Sequence, residues 1–515
     1  MIRSKTQLFT AACLVLAASL VFAGCLAPDS GASGKPAASA VPAPESAQVT
    51  GQTEPPVSPS GATKSSTGLN DPASIASRFD EMRAMQDVQV LAQPRFMGRH
   101  SGTSGETLGA QYLADQFQKA GLEPSGENGT FIQEFPMEVT EFSATPELNL
   151  VGQNGSEQSL QLRDDFRPLI GGPAGPGSAQ GAGVFAGTGD FRGVDVRDKI
   201  ALVVPRFRLN ALISNARSAG AVALILATGE QPILKGENGQ PNTDNTLPVF
   251  LVSRSGVEAL LQGSGHSREE LNSQLRAGQS PSPFPLAFAL RLDSQVETYP
   301  IVAKNVIGLL PAASPTGNSC IVGAHYEEIG PDPDGVVYPA ANDNASGTAV
   351  VLEMARTVAS LSAPLKANVL FIGWSGHEEG LLGSEYYVKH PVLPLDETEC
   401  YINLDTVGQG SGRELLAGAA SNRMRDAIEE SVKQLEALAG TRPPVQVSRE
   451  SSGASDHLNL EQQGVDSIDI NWSGIMEGGN IHVPEDDASN VDAAKLKVTG
   501  QVATTTLLNL VGGPK

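Results

Sequence analysis

The run Cys320-Ile321-Val322-Gly323-Ala324-His325 is uncharged and apolar until it ends on a histidine. A strand with one wet face would alternate polar and apolar residues, so an unbroken run of this length predicts a strand buried on both faces. Two more runs repeat the pattern. Val369-Leu370-Phe371-Ile372-Gly373 is followed by Glu378-Glu379, and Tyr401-Ile402-Asn403-Leu404 by Asp405. Helical stretches lie among them: Asn344 to Leu361, a short one after Gly380, Ser421 to Ala439 and Val491 to Leu510. The alternation predicts an α/β fold whose central sheet is mixed, mostly parallel and covered by helices on both faces.

Ligands of such sheets bind beyond the carboxyl ends of the strands, which singles out the residues just after each apolar run. His325, Glu378-Glu379 and Asp405 stand there. Asp343 lies in the turn that opens a helix, and His482 follows a Gly-rich loop. Imidazole nitrogen and carboxylate oxygen both suit zinc, and a carboxylate can bridge two ions. The sequence therefore predicts two Zn2+ held by His325, Asp343, Glu379, Asp405 and His482, with Asp343 bridging. Glu378, one residue before a ligand, is the expected general base, and Glu327 the expected acceptor for the imidazole N–H of His325 turned away from the metal. A lone Asp at a strand end is more often a cap. It is the joint arrangement at three successive strand ends that carries the reading.

Six words support a resemblance: Ala324-His325-Tyr326, Ala341-Asn342-Asp343-Asn344-Ala345-Ser346-Gly347, Glu378-Glu379-Gly380-Leu381-Leu382-Gly383-Ser384, Asn403-Leu404-Asp405, Ser455-Asp456-His457 and His482-Val483-Pro484-Glu485-Asp486. In this order over residues 296–515 the chain resembles the zinc exopeptidase superfamily of leucyl-type aminopeptidases, aminopeptidase Y and glutamate carboxypeptidase. The resemblance implies an aminopeptidase acting on peptides, and assigns His325 and Asp405 to different metals. A carboxypeptidase, a glutaminyl cyclase and a non-catalytic surface binding protein are the alternatives. The chain departs from the superfamily pattern at Glu327, where aspartate is usual, at Thr406, where methionine is usual, and at Ile481, where a tyrosine commonly precedes the histidine.

Outward from this core, residues 141–295 change to short β-rich runs, among them Lys199–Val204 and Leu247–Val252, without a cluster of His, Asp and Glu. They predict a separate non-catalytic insertion, similar to a protease-associated domain, which splits the peptidase part into 73–140 and 296–515. His100, in the loop Phe96–Thr103, reads as a solvated histidine. Cys320 and Cys400 each stand five positions before an expected ligand; they read as buried thiols, with a disulfide as the alternative.

Residues 25–72 are dominated by Ala, Pro, Ser, Gly and Thr and read as a disordered tether. Before them, Arg3 and Lys5 precede an apolar run from Leu8 to Ala23 that closes on Val21-Phe22-Ala23-Gly24-Cys25. Residues 1–24 thus read as a lipoprotein signal peptide, with Cys25 lipidated and the protein anchored to a membrane of the bacterial cell envelope, outside the cytoplasm. The formal charge of −22 on 515 residues argues against nucleic acid as a partner, since such binding draws on Lys and Arg. Replacing Cys25 by serine is expected to move the protein from the detergent phase to the aqueous phase in a partition experiment; unchanged partitioning would rule out the anchor.

Overall fold

The computed structural model describes residues 71–170, 174–227, 247–313, 317–362, 365–450, 453–475 and 480–512. The expected signal peptide, Cys25 and nearly all of the tether lie outside the described residues. Asp71 caps the helix Pro72–Ala76 through Ser74 N.

A nine-stranded sheet carries the site. Its central strands are β1 (Val296–Leu310), β2 (Ser319–His325), β3 (Asn368–Trp374), β4 (Thr398–Leu404) and β5 (Ser467–Trp472). They lie side by side as β1-β3-β2-β4-β5, with β3, β2, β4 and β5 parallel and β1 antiparallel to β3. Ile132–Phe142 pairs antiparallel with β1. The mixed, mostly parallel α/β fold predicted from the apolar runs is the one observed.

The helices that cover the sheet are α1 (Ser104–Ala120), α2 (Gly347–Ala359), α3 (Leu382–Lys389), α4 (Asn422–Ala439) and α5 (Ala493–Val511). Alternation sorts the strand residues between two cores. Cys320, Val322, Val369 and Phe371 join Leu352 of α2, Ile428 of α4 and Val502 of α5 on one face. Ile321, Leu370 and Ile372 meet Tyr387 of α3 and Leu460 on the other. Each fully buried aliphatic side chain contributes roughly 1.5–3 kcal/mol, so β2 and β3 anchor the sheet from both sides. Cys320 and Cys400 are neighbours across β2 and β4 and form a disulfide. The expected pair of buried thiols is therefore corrected to the alternative: equal depth on adjacent strands, which left a disulfide open, brings their Cα atoms to 4.7 Å, within bonding reach.

Residues 147–294 form a second, eight-stranded sheet with its own apolar clusters. The chain leaves the first sheet at Phe142 and returns at Val296, and these two residues are paired across adjacent strands. An insertion can begin and end there without disturbing the first sheet. Arg163 ties it back, donating to Asp332 at 2.8 Å and pairing with Asp334 in the loop after β2.

Gly347 opens α2 directly over the end of β4: a Cβ there would stand 2.3 Å from the Leu404 carbonyl oxygen. Backbone against backbone cannot yield cheaply. Gly347→Ala is expected to destabilise the protein by about 1–3 kcal/mol, as overpacking does; a urea midpoint unchanged from wild type would show that the approach is not needed.

Candidate metal centre

Three strand ends and two loops converge beyond the carboxyl edge of the sheet. His325 ends β2, Asp405 follows β4, and Glu378 lies in the loop after β3. Asp343 sits in an irregular turn, Ala341–Ser346, held by polar residues whose types now have a reason. Asn344 donates to Leu404 O at 2.9 Å and accepts from Gly347 N at 2.9 Å and Thr406 N at 3.2 Å, which fastens the turn to the end of β4. Asn342 accepts from Gly408 N at 2.8 Å. From the last motif, the buried Asp486 carboxylate accepts from Asn342 N at 2.8 Å and Asp343 N at 3.0 Å. Gln409 holds the His482 loop by bonding both Asn480 N and Asp486.

The result is two donor pockets joined by one carboxylate. His325 Nε2 lies 3.3 Å from Asp343 Oδ1 and 3.4 Å from Asp405 Oδ1. His482 Nε2 lies 3.4 Å from Asp343 Oδ2, 3.2 Å from Glu378 Oε1 and 3.7 Å from Glu328 Oε1. Donors on one zinc at ~2.0–2.2 Å stand roughly 3.3 Å apart at the tetrahedral angle, so these spacings suit the ion. Two buried atoms support the fit: His325 Nε2 and Glu328 Oε2 have no hydrogen-bond partner. The other nitrogen of His325 contacts the Glu327 carbonyl oxygen at 3.1 Å. A carbonyl only accepts, so Nδ1 carries the proton and Nε2 keeps its lone pair for a metal.

Charge is balanced within the cluster. Burial by itself lowers the His325 and His482 imidazoles, but Asp405 and Asp343 beside the first, and Glu378 and Glu328 beside the second, raise both well above the usual range. Burial raises Asp343 and Asp405, and the imidazoles more than offset it and hold both carboxyls below their ordinary values. Glu328 has weaker compensation: burial and the neighbouring Glu378 push it well up.

Of the expected residues, His325, Asp343, Glu378, Asp405 and His482 come together, and Glu379 does not. Its carboxylate faces away, 3.0 Å from His100 Nε2 and accepting from Ser101 at 3.2 Å. Neighbouring residues of a turn point in different directions, and it is Glu378, the expected base, rather than Glu379, the expected ligand, that faces the donor cluster. Glu327 is also placed differently. It meets His325 through its backbone carbonyl, while its carboxylate accepts from His377 N at 2.6 Å and Glu378 N at 3.3 Å. Burial and the nearby Glu379 raise that carboxyl to about 8. His100 is buried rather than solvated, with Nδ1 2.9 Å from Glu141 and Nε2 3.0 Å from Glu379; the strand Ile132–Phe142, which brings Glu141, is distant in sequence from the His100 loop.

Three residues at the centre were not singled out. Glu328 and His377 are neighbours in sequence of assigned residues, and that adjacency was the available signal. Asp456 stands in a quoted word, and its partner is His377 Nδ1 at 2.9 Å.

A sheet of this order defines an α/β protein with a β-rich insertion and, at the carboxyl edge of the sheet, a cluster of side chains that could hold metal. Residues 305–507 match peptidase family M28 and residues 167–260 match the PA domain. The M28 match falls on the part of the chain that carries the donor cluster, and the PA match falls inside the β-rich insertion. It is 27% identical over 327 residues to "Aminopeptidase YwaD" of Bacillus subtilis, covering 62% of this chain and 63% of that one. To "Probable lipoprotein aminopeptidase LpqL" of Mycobacterium tuberculosis it is 26% identical over 370 residues, covering 69% and 63%. The chain thus spans a little under two thirds of the length of these curated relatives. Among solved structures, an aminopeptidase from Aneurinibacillus sp. strain AM-1 superposes with a TM-score of 0.61 at 21% identity over 86% of this chain and 97% of the other. BSAP, a zinc aminopeptidase from Bacillus subtilis, superposes with a TM-score of 0.61 at 23% identity, over 84% and 95%. These two establish the likeness of fold.

His100 supplies a pH test. Burial lowers its pKa, but the contacts to Glu141 and Glu379 more than offset this and raise it from 6.5 to about 9. A raised folded pKa contributes stability that is complete below about 6.5 and lost as pH rises through about 9. Thermal unfolding at several pH values should show a steeper decline across that window in the wild type than in His100→Gln, which keeps the slope due to other raised groups such as Glu327; parallel curves for the two proteins would refute it.

Proposed function

We propose that the chain is a two-zinc aminopeptidase that removes N-terminal residues from peptides outside the cytoplasm, anchored to a membrane through Cys25. The observation that carries the metal reading is Asp343, whose two oxygens face two different imidazoles at 3.3 and 3.4 Å. On this reading His325, Asp343 and Asp405 hold one ion, in place of the separate ions that the resemblance implied for His325 and Asp405, since His325 Nε2 and Asp405 Oδ1 are 3.4 Å apart; Asp343, Glu378 and His482 hold the other. The ions would polarise the scissile carbonyl and acidify a shared water.

With Glu378 beside His482 as a donor, Glu328 is the carboxylate left to move the proton. It is buried in the same cluster and its Oε2 is free of protein partners, so it can accept from a water held there. It takes a proton from the attacking water and returns it to the leaving amine.

Charge favours the amino end of a substrate over the carboxyl end. The cluster is rich in carboxylates, which attract an α-ammonium group. Recognition of a terminal carboxylate is the usual work of an Arg or Lys, and among the described residues the one buried Arg or Lys is Arg99. Its guanidinium is committed to the backbone carbonyls of Tyr326, Leu91, Pro339 and Ala340. The relatives' printed names point the same way. The Cys320–Cys400 disulfide suits an oxidising compartment, in keeping with the signal sequence. Among the described residues no helix is long and apolar enough to cross a membrane.

Aminoacyl-anilides should be hydrolysed, chelator should abolish the activity, and N-acetylated peptides should be left intact. Glu328→Gln is expected to keep its zinc and lose about 10²–10⁴-fold in kcat, whereas Glu378→Gln should lose zinc as well. Hydrolysis of N-acetylated peptides would overturn the aminopeptidase reading, and near-normal kcat in Glu328→Gln would overturn the proton route.

A further inference from the structure

The turn that carries Asp343 is held by a buried cation that touches none of the donors. We propose that Arg99 is a positioning residue of the metal centre, whose guanidinium sets the separation of His325 and Asp343 by gripping the main chain next to both; the inference rests on the metal reading under Proposed function.

Arg99 is wholly buried, and its bonds reach three separate stretches of chain. Nε donates to the carbonyl of Tyr326, the residue after His325. Nη1 donates to Leu91 O at 2.8 Å, at the end of the helix Glu81–Leu91, and to Pro339 O at 3.0 Å. Nη2 donates at 2.8 Å to Ala340 O, shortly before Asp343. A planar guanidinium holds its N–H groups in a rigid fork, so carbonyls that accept from it are fixed relative to one another. The stretch of chain that leaves His325, carries Glu328 and returns to Asp343 is thereby closed at both ends on one side chain. Gly98 permits the approach: it has a φ of +67°, and a Cβ there would stand 2.6 Å from Tyr338 O.

The far side of the turn is held by the opposite charge. Asp486 accepts from Asn342 N at 2.8 Å and Asp343 N at 3.0 Å through its carboxylate, and from Ala341 N at 3.0 Å through its backbone carbonyl. Carbonyls before the bend thus go to a cation, and amides within it to an anion. A buried arginine is ordinarily matched by a carboxylate, yet every hydrogen-bond acceptor of Arg99 is a backbone carbonyl. The carboxylates that act on its charge without bonding to it are Glu328, Asp486, Glu327 and Asp343, which belong to the donor cluster and the layer around it. The fork is committed to geometry, and the charge is left facing the cluster.

The test measures metal rather than turnover. The full chain, stripped of metal, is titrated with Zn2+ against a chromophoric chelator and separately with Co2+ followed by its absorption spectrum. Arg99→Lys keeps the positive charge and loses the fork, so it isolates geometry from electrostatics. At least one of its two zinc affinities should fall by about 10–100-fold, as for other residues that orient ligands, with a changed Co2+ band. Asp486→Asn should shift zinc affinity in the same direction and carries the test if Arg99→Lys does not fold, as judged by thermal unfolding. A role confined to stability would lower the unfolding temperature and leave the affinities and Co2+ spectrum of the folded variant as in wild type; that result overturns the proposal and leaves the metal centre standing. Failure of both variants to fold would show that the two charges serve the fold before the centre, and overturns it as well. A wild type that takes up no zinc would overturn the metal reading itself.

Discussion

Burying charge without matching it is the constraint from which this structure follows. At the carboxyl edge of the sheet, Asp343, Asp405, Glu328, Glu378 and the imidazoles of His325, His377 and His482 are packed largely out of water. An isolated ion in such a place costs several kcal/mol even after the protein relaxes, so each has to be within reach of an opposite charge or a hydrogen bond. The cluster meets this by alternation: each imidazole lies between carboxylates, and Asp343 lies between two imidazoles. Metal ions fit the same logic, because they supply positive charge to a set that is weighted toward carboxylates.

Around the cluster a second layer of buried polar groups holds the backbone rather than the ligands. Asn342, Asn344 and Asp486 fasten the turn of Asp343 to the end of β4, Glu327 holds the backbone of His377 and Glu378, and Asp456 holds the His377 ring. Both side-chain polar atoms of Asn344, Asp456 and Asp486 have named partners, which lets that part of the network rigidify the site, whereas Asn342 Nδ2 and Glu327 Oε2 are buried without one. The disulfide lies on the same scaffold, five residues before both His325 and Asp405, and ties together the strands that carry them.

The inserted PA domain meets the peptidase part at a point that matters for the centre. Arg163 grips Asp332, which also accepts from Tyr338, in the loop that runs on from Glu327 and Glu328. The same loop supplies two of the carbonyls that occupy Arg99, at Pro339 and Ala340. Contacts from the insertion, from the N-terminal segment and from the sheet thus meet on one stretch of chain beside the metal donors.

The sequence by itself determined the sheet, its order of burial and the neighbourhood of the site. Unbroken apolar runs can be satisfied only by a strand covered on both faces, and a residue just past such a run has to emerge at the carboxyl edge; His325 and Asp405 were legible for that reason, and Asp343 through the turn-forming residues around it. Which way a side chain points within a loop is not set by spacing. The choice between Glu378 and Glu379 depends on His100, nearly 280 positions earlier, and the burial of His100 depends on a strand laid over it by sheet pairing. His377 and Glu328 met the groups they face only when Asp456 and His482 were brought beside them from later in the chain. Local pattern fixes where the chain goes; tertiary contact decides which of two adjacent charges has a partner, and in a buried site the partner decides the chemistry.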